Sequence, residues 1–188
     1  MNLPNFTLNQ LPISQLFKKQ GVTDFKNACG FIQALPFGRI SNRNNMELVL
    51  SERKGTSSSK HGLLALLAEE NEHFEIELIA GIFLMSQETH SNLNAFFKGK
   101  PYLSLPEMHC YFRFEKQRYD FTEEVTKMPL IEKKIVREQR IEPHQVGDWK
   151  TKIHQEYFKA WLLRNPNFNY TFEEIWNQRE DCIQLLMH

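Results

Sequence analysis

Cysteine is scarce in this 188-residue chain. Cys29, Cys110 and Cys182 are the three present, and they are too scattered for a disulfide framework. No Cys-x-x-Cys pair, His-Glu-x-x-His run or spaced Cys/His set occurs, so neither a metal centre nor an organic cofactor is expected. Net charge is missing too: 23 Lys+Arg balance 23 Asp+Glu. A nucleic-acid binder carries a basic excess, so that partner class is excluded. The longest apolar run, Leu78 to Met85, is far short of the roughly 20 residues that span a bilayer. The opening Met1-Asn2-Leu3-Pro4-Asn5 has neither a basic nor an apolar leader region, so no signal peptide is read and a cytoplasmic, reducing setting is expected.

What is there is ordinary globular composition. Hydrophobic residues make up 41% and aromatics 12%, too much apolar material for a disordered chain. A domain of this size buries about 70% of its unfolded surface and needs no staples. No repeat or linker divides the sequence, so residues 1–188 read as one domain, with a core over about 23–122 and a helical extension over 123–188.

Residues 1–22, polar and broken by Pro4 and Pro12, are expected to wrap the surface. Thr23-Asp24 signals the start of a helix carrying Phe25, Ala28, Cys29 and Ile32, which Pro36 and Gly38 end. Met46 to Leu50 reads as a short extended piece. From about Ser58 to Glu70, Leu63, Leu64, Leu66, Leu67 and Ala68 give a helix apolar over most of its circumference, hence central. Phe74 to Met85 reads as a buried strand. Residues 86–106 lack a clear period and read as a loop or lid. Two helices close the chain: Trp149, Ile153, Tyr157 and Trp161 recur at four-residue spacing, and Thr171-Phe172-Glu173-Glu174 is a capping box. The predicted class is α+β.

The clearest local unit is a hairpin of Met108–Arg113 and Arg118–Thr122. Cys110, Phe112 and Phe114 alternate with His109, Tyr111 and Arg113, which sets an apolar face against a polar one. A two- or four-residue turn near Glu115-Lys116 puts His109 and Asp120 on the same face. Upstream, Gly55-Thr56-Ser57-Ser58-Ser59-Lys60-His61 places hydroxyls at the start of the central helix. Its N-terminus offers backbone N–H groups and partial positive charge to an oxyanion. A nucleophile, a base and a carboxylate that fixes the base are the parts that nucleophilic catalysis needs. Each part also has a plain structural use. Serine is a favoured helix cap, and a strand histidine beside a cross-strand aspartate can be a simple hydrogen-bonded pair.

Over about Arg39 to Thr122, the order of Gly55–His61, His109-Cys110-Tyr111 and Tyr119-Asp120-Phe121-Thr122 resembles the transglutaminase-like branch of the papain-like thiol enzymes. The resemblance implies a central helix packed on a small antiparallel sheet, and acyl transfer or hydrolysis on an amide, a peptide-like substrate or a protein side chain. It assigns attack to residue 57, general base then acid to His109, and orientation of His109 to Asp120. Ser58 and Tyr111 would line the cleft, and Asn42 or Asn44 could donate to the oxyanion. The C-terminal helices and residues 86–106 would wall the cleft. The family's nucleophile is cysteine, and Ser57 stands in that slot. A serine hydroxyl cannot reach the thiolate state and depends wholly on the base during attack. Three readings stay open: a binding module that keeps the cleft without the chemistry, a serine-type hydrolase, or a thiol enzyme silenced by replacement of its cysteine. Cys110 neighbours His109 in a strand and faces the other way, so it cannot supply the thiol. Two rival motifs fall away. Ser57-Ser58-Ser59-Lys60 matches Ser-x-x-Lys, but no Lys-Thr-Gly accompanies it. The Gly/Ser loop lacks Walker spacing.

Overall fold

The computed structural model describes residues 2–166 and 168–187; Met1, Asn167 and His188 lie outside it. Four strands form one antiparallel sheet in the order β3-β2-β1-β4: β1 Glu77–Ser86, β2 Ser104–Phe114, β3 Gln117–Tyr119 and β4 Ile135–Arg140. Helices cover both faces of this sheet. On one face, Leu78, Ala80, Ile82, Met108, Cys110 and Phe112 pack with three helices: α1 (Pro12–Lys18), α2 (Phe25–Ala34) and α4 (Ser57–Glu70). A four-residue helix α3, Leu48–Ser51, precedes α4. On the other face, Ile79, Phe83, Met85, Leu105 and Tyr111 pack with the short helices α5 (Asn94–Phe97) and α6 (Met128–Ile131). Residues of α7 (Asp148–Leu163) and α8 (Phe172–Leu185) complete that second layer. The fold is thus mixed helix and sheet, with a small antiparallel sheet.

The central helix is the element the sequence marked most clearly. Thr56 caps it in a reciprocal box with Ser59: the Thr56 N–H donates to Ser59 Oγ at 2.9 Å, and the Thr56 hydroxyl accepts from the Ser59 N–H. Leu63, Leu64 and Leu67 are fully buried, and burial of each contributes about 1.5–3 kcal/mol. Gly55 is required by close approach: a Cβ there would lie 2.7 Å from Lys60 Cγ. The hairpin forms, but its second strand is shorter than the expected Arg118–Thr122: β3 ends at Tyr119, and Asp120 leaves the ladder with its carboxylate accepting the Thr122 N–H. Glu115 and Lys116 make a two-residue turn with φ of 47° and 65°, and Arg113 pairs with Arg118. Two left-handed residues in succession are the turn that matches strand twist. Asp24 caps α2 by accepting the Asn27 N–H, and the Thr171–Glu174 box caps α8.

Five further local expectations are corrected. The first 22 residues do not merely wrap the surface. Pro12 begins α1, where its missing N–H costs nothing, and Leu8, Ile13 and Phe17 are buried. Met46–Leu50 is not extended: residues 48–51 form a helical turn that buries Val49 and Leu50, and so short an apolar run has no period to distinguish helix from strand. Residues 86–106 are not a lid, because Leu93, Phe97, Tyr102 and Leu105 are buried in the second layer. The hairpin face carrying Tyr111 is not a solvated polar face, since that ring is fully buried. Finally, the stretch read as wholly helical after residue 123 contributes the edge strand β4 beside β1. Among the described residues, no helix is long and apolar enough to cross a membrane.

Candidate active site

The first residue of α4 is Ser57, placed where the sheet leaves a gap. Pairing between β2 and β3 stops at Phe112 and Tyr119. Two residues before that stop, the Cys110 N–H donates to Ser57 Oγ at 3.3 Å. The helix N-terminus therefore meets the ladder group that the short β3 leaves free, and the Ser57 hydroxyl sits beside the backbone of His109. As first-turn residues, Ser57 and Ser58 have N–H groups with no intrahelical acceptor, which leaves two donors next to the hydroxyl for a developing oxyanion.

His109 projects from β2 toward the chain that follows β3. Its Nε2 lies 3.2 Å from Asp120 Oδ2. That is within ion-pairing distance, but the atoms are out of line for a hydrogen bond, and Nε2 is buried without one. With Nε2 facing the carboxylate, Nδ1 is the ring nitrogen left for another partner. Ser57, His109 and Asp120 all line one cavity of about 50 Å³, together with Phe37, Phe83, Met85, His90 and Glu107. The three residues expected from the sequence thus line the same cavity.

Asp120 is held from several sides. Its Oδ1 accepts from the Thr122 N–H at 3.0 Å and from the Thr122 hydroxyl, and the Thr126 hydroxyl reaches Oδ2 at 3.3 Å. Burial alone would raise its pKa. The neighbouring His109, His61 and Thr122 hydroxyl outweigh burial and hold the carboxyl well below the usual range. Asp120 is therefore an anion at neutral pH, as orientation of a histidine requires.

Sequence reasoning missed two buried residues that hold the backbone just after Asp120. His61, fully buried on α4, uses Nδ1 to donate to the Ser57 carbonyl at 2.8 Å, and its Nε2 accepts the Phe121 N–H at 2.9 Å. Those two partners fix the neutral ring with its proton on Nδ1. Burial, with His109 and Lys60 nearby, pushes its pKa down to about 4 against the pull of Asp120. Lys60 is also fully buried; its ammonium donates to the carbonyls of Leu35 and, at 2.6 Å, Thr122. Burial lowers its pKa to about 8, offset in part by Glu123 and Asp120. The available signal was a Lys-His pair on the interior of an otherwise apolar helix.

The remaining site expectations separate. Ser58 lies at the rim of a second cavity described below, and its Oγ accepts from the Cys110 thiol at 3.7 Å. Tyr111 does not line the cleft: its ring packs 6.2 Å from the His109 ring, and its hydroxyl donates to Glu138. The structure does not bring Asn42 or Asn44 to the site. Asn44 accepts the Asp148 N–H at 3.0 Å at the start of α7, and the exposed Asn42 accepts the Asn44 N–H. Cys29, Cys110 and Cys182 are all buried, and burial raises each thiol's pKa.

No family model, curated protein or solved structure matches this chain.

Proposed function

We propose that this chain is a transglutaminase-like domain whose cleft performs acyl transfer or hydrolysis on an amide or peptide-like substrate, with Ser57 in the nucleophile position. The observation that carries the reading is the His109–Asp120 contact at 3.2 Å in a cavity that Ser57 also lines. In the reaction, Ser57 Oγ bonds to the amide carbon while His109 takes the hydroxyl proton. The C–N bond then breaks as His109 returns that proton to the departing amine. Water or a second amine attacks the resulting ester, and Ser57 recovers its proton. Asp120 stabilises the imidazolium formed on His109, and the Ser57 and Ser58 N–H groups face the developing oxyanion. Oxygen in place of sulfur makes the step slow, because the attacking group must be deprotonated during attack rather than before it.

A second reading is a binding module that uses the same cleft without turnover. It is favoured by the Cys110 N–H, which engages Ser57 Oγ, and by the misalignment of His109 Nε2 with Asp120. An electrophilic, peptide-like affinity probe separates the two when applied to the wild type, Ser57→Cys, and Ser57→Cys combined with His109→Ala. Labelling at residue 57 of the cysteine variant that requires His109 supports the acyl-transfer site. No labelling of any form supports the binding module.

A further inference from the structure

Ser57 stands at the waist of a larger space. On its other side lies a cavity of about 190 Å³ between the start of α4, the first half of β2, and helices α7 and α8. It shares Phe37, Ser57, Glu107 and Ile183 with the smaller cavity that holds His109 and Asp120. A ligand group in one space is therefore adjacent to the other across Ser57.

The charges in this wall pair off with one remainder. Four cations line it, Arg39, Arg43, Lys150 and Arg179. Arg179 is held by Glu107 through both Nε and Nη2, and by Glu180 through Nη1. Glu107 is buried; burial alone would raise its pKa, but Arg179 and its other cationic neighbours drive it down to about 2. Arg39 bonds to the second oxygen of Glu180, and Arg43 lies 3.8 Å from Asp148. His154 lines the same wall and adds no charge at neutral pH. Its Nε2 donates to the Pro106 carbonyl at 3.1 Å, and burial pushes its pKa down to about 4. Among the described residues, Lys150 is the one cation of the wall without a carboxylate at ion-pairing distance. It is 9% exposed, and its ammonium donates to the Met108 carbonyl at 2.6 Å, which occupies one of its three donors.

Its charge reaches Glu107, which Arg179 already holds through both oxygens, and a cation taken this far from bulk water gains from a counter-charge of its own. The space it borders also receives the positive end of the 14-residue helix α4. We infer that the cavity between Ser57 and helices α7 and α8 seats an anionic group, a carboxylate or a phosphate, with Lys150 as its counter-ion and Arg43 at its rim. If the acyl-transfer reading holds, this makes the substrate an amide bearing an anionic group on the side of Ser57 away from His109. The anion site itself does not depend on turnover.

Calorimetric titration of the full chain tests this, with inorganic phosphate in one arm and N-acetylglutamate in the other. Saturable binding in either arm is expected, and the stronger arm names the anion's chemistry. Lys150→Met should weaken that binding about tenfold or more, the loss of one charge-assisted contact. The exposed Arg43→Gln should weaken it several-fold with the fold intact, and decides the matter if Lys150→Met does not fold. Binding of neither anion, or binding unchanged in a folded Lys150→Met, or in Arg43→Gln where that variant alone is folded, overturns the inference. The titration reads occupancy without turnover. A chain that binds an anion but is never labelled at residue 57 overturns the acyl-transfer reading alone. One that is labelled but binds neither anion overturns only the anion site.

Discussion

His61 Nε2 accepts the backbone N–H of Phe121 at 2.9 Å. This single bond ties the interior of the central helix to the residue that follows Asp120. Through its other nitrogen the same ring reaches the Ser57 carbonyl, so one buried imidazole bridges the backbone of Ser57 and the residue after Asp120.

Replacing His61 by alanine leaves the Phe121 N–H without an acceptor and opens a cavity in the core. A loss of about 2–3 kcal/mol is expected, measurable as a lower midpoint in urea unfolding. His61→Gln, whose carbonyl can accept the same N–H, should recover part of it.

Stability should rise with pH between about 4 and 6.5. Burial pushes His61 and His154 down to about 4 and His90 to about 3, whereas in the unfolded chain each titrates near 6.5. In that window the unfolded state binds more protons than the folded one. Stability is therefore complete above pH 6.5 and is lost as pH falls. Each histidine contributes a slope of up to about 1.4 kcal/mol per pH unit. Urea unfolding across pH 4–7 reads the slope, and removing any one of the three should flatten it by about one proton.

The hairpin turn offers a gain instead of a loss. Lys116 has a φ of 65° without being glycine or asparagine. Lys116→Gly should stabilise the fold by about 1 kcal/mol by relieving the left-handed conformation, seen as a higher thermal midpoint.

Breaking the buried Glu107–Arg179 pair from one side should be severe. Arg179→Met strands the Glu107 carboxylate, and a loss of about 3–5 kcal/mol is expected. Pairing it with Glu107→Leu should restore much of that, because neither side of the pair is then left as a stranded charge. A four-state denaturation cycle measures the difference.

Elements with a strong local pattern were legible in the sequence. The apolar circumference of α4, the alternation in β2, and the caps of α2 and α8 each carry their signal within a few residues. Strand β4 carried almost none: Val136, Arg137, Gln139 and Arg140 are exposed, and only Ile135 and Glu138 are half-buried. An edge strand charged in this way has no buried face to betray it. Helix α1 was obscured by a proline that starts it rather than breaks it. Ser57, His109 and Asp120 stood out by residue type, and His109 and Asp120 do meet, although Asp120 lies one residue past the end of β3 rather than on the expected longer strand. Lys60 and His61 stood in the same motif, but their roles depend on carbonyl and amide groups about sixty residues away, at Phe121 and Thr122. Glu107 and Arg179 pair across 72 residues with no local sign of each other.

On the acyl-transfer reading, residue 57, His109 and Asp120 form one chemical unit. The titration of a thiol placed at residue 57 tests it most directly. In Ser57→Cys, thiolate absorbance near 240 nm should appear well below the free-thiol value of about 8.5, owing to the helix N-terminus and His109. It should move back toward 8.5 in the His109→Ala background. The three native cysteines are buried with raised pKa values and stay silent in that range. A thiol that titrates at or above 8.5, with or without His109, shows that the three residues do not act as one unit.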